Sequence, residues 1–160
     1  MVSYSLYADK LADWFNENVS PEFFKLRAFV MRVLQEEAEL DEIVRLVGID
    51  ALSSRDRLTM ETAKIIREDF LHQNAFHEVD TYASLNKQYL MLKTIYEFNR
   101  LAGEAVDNYA DLDDVLNSSA KERIGRAKYI TEDELGQFEE ILSQLTAEMK
   151  ALSEGGGENV

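Results

Sequence analysis

The sequence predicts an all-α fold, a helical bundle of about five to seven helices with one long helix–turn–helix standing out as a lever. Three observations carry this. Apolar residues recur at three-and-four spacing along most of the chain, the period of a helix with one buried face. Only one proline and seven glycines interrupt 160 residues. Helix-start signals, a small hydroxyl residue followed by a helical stripe, recur before the long periodic segments.

The elements follow in order. Residues 5–18 read as a short helix, with Leu6, Leu11, Trp14 and Phe15 on one side. In "VSPEFF", Ser20 suits an N-cap and Pro21 the first helical position, where its missing N–H costs nothing. The helix from Pro21 to Val47 carries Leu26, Val30, Val33 and Leu34, and the stripe continues into Leu40, Ile43, Val44 and Val47. Gly48 ends it, because glycine alone takes a left-handed conformation cheaply. Ser53 with Asp56 resembles a capping box for the next helix. That helix buries Leu58, Thr62, Ile65, Ala63, Ile66 and Phe70, and is expected to reach Asn74.

"QNAFHEVDTY" breaks the period and reads as an irregular connection. Ser84 starts another helix, with Leu85, Tyr89, Leu92 and Tyr96 inward and Ile95 and Phe98 beside them, ending near Asp107. "ADLDDVL" forms a short acidic helix, and "SSAKERIGRAKYI" a basic stretch of helix then loop. Thr131 and Glu134 form a capping box for a last helix, Glu132 to about Leu152. The whole of residues 1–153 is one domain. Residues 154–160, "EGGGENV", have nothing to bury and are expected to be a disordered tail.

Composition narrows the function. Lys+Arg number 17 and Asp+Glu 31, a net charge of −14. Such a surface repels nucleic acid and anionic membrane and favours basic partners. There is no cysteine, which removes disulfides and thiolate metal sites. No apolar run approaches the roughly 20 residues of a membrane span.

Motifs of chemistry are weak. "HEVD", His77 to Asp80, has half of a zinc helix but lacks the second histidine. "DFLH", Asp69 to His72, has the carboxylate–histidine spacing of di-iron bundles without the second such pair those sites need. "EEAELDE", Glu36 to Glu42, reads as a solvated helix face. No phosphate-binding GxxxxGK[ST] loop and no GxGxxG occurs. The aromatic residues mostly fall at core spacing. Phe76, among polar residues in the irregular segment, is the exception.

The stretch "EIVRLVGIDALSSRDRLTMETAKIIREDFLHQNAFHEVDTY", Glu42 to Tyr82, resembles the C-terminal helical region of the catalytic A subunit of archaeal-type and vacuolar-type rotary ATPases. "SYSLY" at 3–7, "KQYLMLKTIYEFN" at 87–99 and "RAKYITEDEL" at 126–135 resemble further segments of it. The resemblance implies a fragment. The family's phosphate-binding loop, catalytic glutamate and Mg²⁺ site lie in an upstream nucleotide-binding domain, so no catalytic residue is assigned here and the fragment alone is expected to be inactive. Met1 and Val2 then read as an added start. ATP or ADP with Mg²⁺ belongs to the full-length subunit. The implied partners are that upstream domain, the B subunits and the central stalk. The implied place is the cytoplasmic head of an ion-transporting (proton or sodium) ATPase, peripheral to the membrane and without direct membrane contact.

Two sites carry over from the resemblance. "DALSSRD", comprising Asp50, Ala51, Leu52, Ser53, Ser54, Arg55 and Asp56, occupies the position of the acidic DELSEED turn of the related F-type β subunit, the lever tip that bears on the rotating stalk. Asp50 and Asp56 against Arg55 give this turn a net charge of −1, so steric contact rather than carboxylate attraction is the expected push. "QNAF" is the second: Gln73, Ala75 and Phe76 are expected to line the adenine pocket, with the Phe76 ring against the base. Stacking of that kind contributes about 1–3 kcal/mol, and even millimolar affinity needs about 4 kcal/mol, so the fragment alone is not expected to hold ATP. The alternative reading is a free-standing acidic helical adaptor for a basic partner. A carboxylate-bridged metal enzyme is a third, testable by elemental analysis.

Overall fold

A computed structural model describes residues 21–71 and 85–158. These residues are helical nearly throughout, with no strand among them. Helix α1 spans Pro21–Val47 and α2 spans Ser54–Ile65, joined by a 3₁₀ turn at Ile49–Ala51. A π-helical segment, Ile66–Leu71, continues α2. Then come α3 (Leu85–Asp107), α4 (Leu112–Leu116) and α5 (Ser119–Arg126). Two 3₁₀ turns, Ala127–Tyr129 and Glu132–Glu134, lead into α6 (Gln137–Glu158).

The helices pack in a chain of neighbours. α1 lies on α2, α2 on α3, and α3 on α6, while α5 closes over α6. One core runs through all of them. Leu26, Phe29, Val30 and Val33 of α1 enter it with Leu58, Ala63, Ile65 and Ile66, Leu92, Ile95, Phe98 and Ala102 of α3, and Phe138, Ile141, Leu145 and Met149 of α6. The Phe29 ring meets Tyr96 edge to face at 5.1 Å. Fully burying each such side chain contributes roughly 1.5–3 kcal/mol.

Several expectations need correction in detail. Gly48 has φ 90° and ψ 163°, an extended conformation of positive φ that only glycine adopts freely, not the left-handed helical one. The α geometry of α2 stops at Ile65 instead of reaching Asn74. The π-helical segment takes over at Ile66, and Ile65 and Ile66 are both buried across the junction.

In α3 the inward line is Leu92, Ile95, Phe98, Ala102 and Ala105, while Tyr89 and Tyr96 are only partly buried at its margin. A tyrosine keeps its hydroxyl where a polar partner is available. The expected side-chain box at Thr131 does not form. Thr131 makes no side-chain cap bond, and its carbonyl instead accepts from the Glu134 amide at 2.9 Å. The chain uses Leu135, packed on the core, and Gly136 as a corner, so the last α-helix starts at Gln137. That helix runs past Leu152 through the three glycines to Glu158.

Other signals hold. Ser53 Oγ accepts from the Asp56 amide at 3.1 Å, satisfying one of the free donors at the start of α2. Asp111 caps α4 and Ser118 caps α5 in the same way. α3 ends at Asp107 in a Schellman turn, with the Ala110 amide bonded to the Ala105 carbonyl and that of Tyr109 to Val106, both at 3.0 Å. Tyr109 takes the positive φ (69°) that glycine usually fills there.

Candidate functional site

The region of interest begins where α1 leaves the core. Leu34 is the last buried residue of α1; from Gln35 to Val47 no side chain is buried. At 1.5 Å per residue that stretch extends roughly 20 Å. α2 returns alongside it, and its first core residue is Leu58. The two helices therefore form a hairpin whose turn, Gly48 to Ser53, stands at the outer end. Local chemistry shapes the turn. Gly48 turns the chain, the Ala51 and Leu52 amides bond back to the Gly48 and Ile49 carbonyls at 3.3 and 3.1 Å, and Ser53 starts α2.

Of the seven residues expected at the lever tip, Asp50, Ala51, Ser53, Ser54 and Arg55 are exposed and Asp56 is half-buried. Leu52 is different. It is buried, so it cannot offer its side chain to a partner. Arg55 is held sideways. Its Nη2 lies 3.6 Å from Asp107 Oδ2 at the end of α3.

Braces run along the hairpin. Thr62 Oγ1, on α2, lies 2.9 Å from Asn99 Oδ1 of α3, donating to it. Lys121 of α5 pairs with Glu61 at 2.8 Å. Arg67 of the π segment donates to Glu37 of α1 at 2.6 Å. These contacts join α2 to helices on both its sides, which favours movement as one body. The carboxylate run Glu36–Glu42 is largely engaged with cations: Glu37 with Arg67, Glu36 with Arg32 at 4.0 Å and Asp41 with Arg45 at 3.1 Å. Among the described residues no group of three or more His, Asp or Glu side chains is placed to hold a metal ion. Nor is any described helix long and apolar enough to cross a membrane.

Gln73, Ala75 and Phe76, expected at the adenine pocket, lie outside the described residues, as do His72 and His77. What sequence reasoning missed is apolar. Ile43 and Val47 were expected in the core stripe, yet they are 43% and 65% exposed, with Leu46 at 84% and Ile49 at 48%. The signal was present in "EIVRLVGI". That run has more large apolar residues than one core-facing line can use, so some must face outward.

The described residues define an all-α helical bundle with one partly uncovered hairpin. Residues 12–116 match the family described as the C-terminal domain of V and A type ATP synthase, and the chain belongs to that family. The V-type ATP synthase alpha chain of Thermoanaerobacter pseudethanolicus is 53% identical to it over 156 residues, 98% of this chain and 26% of that protein. Alpha chain 1 of Clostridium tetani is 52% identical over 155 residues, 97% of this chain and 26% of its own length. The alpha chain of Acetivibrio thermocellus is 54% identical over 151 residues, 94% and 26%. These relatives are bacterial, not archaeal. The chain spans about a quarter of the length of the curated relatives it matches.

Proposed function

We propose that this domain is the mechanical arm of the catalytic subunit of a rotary ATPase. It carries nucleotide-driven motion from an upstream nucleotide-binding domain to the central stalk through the α1–α2 hairpin. The observation that carries the reading is the hairpin itself: a stretch of α1 without a buried side chain, a turn exposed at Asp50, Ala51 and Ser53, and an arm, α2, joined along its length to α3 and α5.

In this reading Gln73, Ala75 and Phe76 complete the adenine pocket of the full-length subunit, where ATP or ADP binds with Mg²⁺. They follow directly on the π segment that continues α2. Closure of that pocket pulls on the root of α2, and the braced hairpin swings as a body, since packed helices shift rigidly rather than bend. The turn then presses on the stalk. The B subunits and the upstream domain are its other neighbours, in the peripheral head of the enzyme.

The test uses the assembled ATPase. A cysteine in place of the exposed Ser54 should cross-link to a central-stalk subunit, with a yield that changes with the bound nucleotide. Absence of any stalk cross-link in every nucleotide state would overturn the reading. As a second measure, glycine at both Thr59 and Met60 would soften α2 by about 1 kcal/mol each and should reduce ion transport per ATP hydrolysed.

A further inference from the structure

Lys87, in the first turn of α3, is the only buried residue with a charged side chain among the described residues, at 7% exposed. Two features of its place disfavour a cation. Burial strips an ammonium of water, which is costly unless hydrogen bonds replace it. The amino end of a helix carries positive partial charge, and the first turn of α3 holds no acidic residue to offset it. A methionine would fill similar space without either cost.

What the lysine gains is a bond to a distant part of the chain. Its Nζ donates to the main-chain carbonyl of Lys128 at 2.9 Å. That carbonyl belongs to the 3₁₀ turn Ala127–Tyr129. The turn closes through the Ile130 amide on the Ala127 carbonyl, at 3.1 Å, so the carbonyl of Lys128 is not used in closing it. The π segment that continues α2 packs against the same turn and against α3. One small turn therefore meets both the end of α2 and the start of α3. This junction lies at the opposite end of α2 from the Gly48–Ser53 turn. In the sequence, residues 72–84 connect the two flanks that it holds, and they include Gln73, Ala75 and Phe76.

We infer that Lys87 is a positioning residue for nucleotide binding in the full-length subunit. By holding the Lys128 carbonyl it fixes the start of α3 against the turn on which the end of α2 rests. The two described flanks of the stretch that carries Phe76 then keep a fixed separation. A contact carried between fixed ends loses less conformational freedom when its ligand arrives, and that saving appears as affinity. Lys87 itself touches no nucleotide; it acts through the chain it anchors. The inference rests on the adenine-pocket reading above and names a residue that supports that pocket from outside.

The experiment uses the assembled ATPase. In the unchanged enzyme, saturation with ADP and Mg²⁺ should slow hydrogen exchange of the Ile130 amide, which closes the turn, and of the peptide that contains Phe76. Slowing in the Phe76 peptide with none at residues 127–130 overturns this inference and leaves the adenine-pocket reading standing. No slowing in the Phe76 peptide removes that reading and this inference with it. Lys87→Met should raise KM for ATP by about fivefold or more, the lower end of what one base-stacking contact is worth. Its kcat should be kept, the mark of lost binding rather than lost chemistry. Thr62→Val, which removes a hydrogen bond elsewhere between α2 and α3, should leave KM unchanged. An unchanged KM in Lys87→Met overturns the inference. So does an equal rise in Thr62→Val, which would show general loosening of the bundle. Where Lys87→Met lowers the yield of assembled enzyme, the exchange measurement on the unchanged enzyme decides.

Discussion

The guanidinium of Arg55 sets its Nη1 against Gly103, in the space where any other residue would carry its Cβ. A methyl group there would overlap Nη1 and come within 2.7 Å of Cζ. Gly103 is buried in α3, one turn before Asp107, so the glycine lets the side chain from the hairpin's tip cross α3 and reach that carboxylate at 3.6 Å. The tip is thereby tied to the end of α3.

Gly103→Ala should displace Arg55 without unfolding the domain. Alanine gains roughly 0.5–1 kcal/mol over glycine in a helix, and the ion pair lost is exposed, worth about 0–1 kcal/mol. The two nearly cancel. Urea denaturation should show a change below about 1 kcal/mol, while the Arg55 side-chain NMR signal moves to that of a free arginine. A loss above about 2 kcal/mol would mean that the guanidinium has nowhere else to go.

Gly48→Ala should be costly for a different reason. Nothing lies within 4 Å of a Cβ at this position, so no clash is involved. The penalty is the backbone's, φ 90° with ψ 163°, and should be about 1–3 kcal/mol. Urea denaturation measures it. An unchanged midpoint would show that the turn can relax to negative φ.

Thr62→Val keeps the shape of a fully buried residue and removes its hydroxyl. The bond to Asn99 is lost, and the Asn99 carbonyl, only half-buried, can turn to water. The expected cost is about 1 kcal/mol, a fall in Tm of roughly 2–4 °C, read by circular dichroism. In the assembled enzyme the same change removes the α2–α3 brace and should lower coupling.

Tyr89 should add an alkaline limit to stability. Its burial, and then its hydrogen bond with Glu22 and that carboxylate's charge, push its pKa up to about 12 from 10.0. The folded state therefore keeps the phenol neutral after the unfolded chain has begun to ionise. This contribution is fully present below pH 10, and is lost as pH rises toward 12. Phenolate absorbance during an alkaline titration should show one tyrosine ionising late. Glu22→Ala should bring it part of the way back, since burial is the larger cause.

Much of the bundle was legible in the sequence, for local reasons. Ser53 could be read as a cap because the bond it makes is three residues away. The stripe Leu26, Val30, Val33 and Leu34 was legible because one helix face repeats every three or four residues. The end of α3 near Asp107 and the short helices after it were legible for the same reason. The family resemblance located the turn at 50–56, and five of its seven residues are exposed.

What the sequence determined by itself was where the chain is helical, where it turns, and which residues are apolar enough to be buried. Only the tertiary structure decided which of them are. Whether Val47 is core or surface depends on whether a neighbouring helix reaches that far, and beyond Leu34 none covers it fully. Leu52 turned inward and Arg55 found Gly103 some fifty residues away for the same physical reason. Periodicity reports a side chain's direction on its own helix, and burial is set by what another helix brings to meet it.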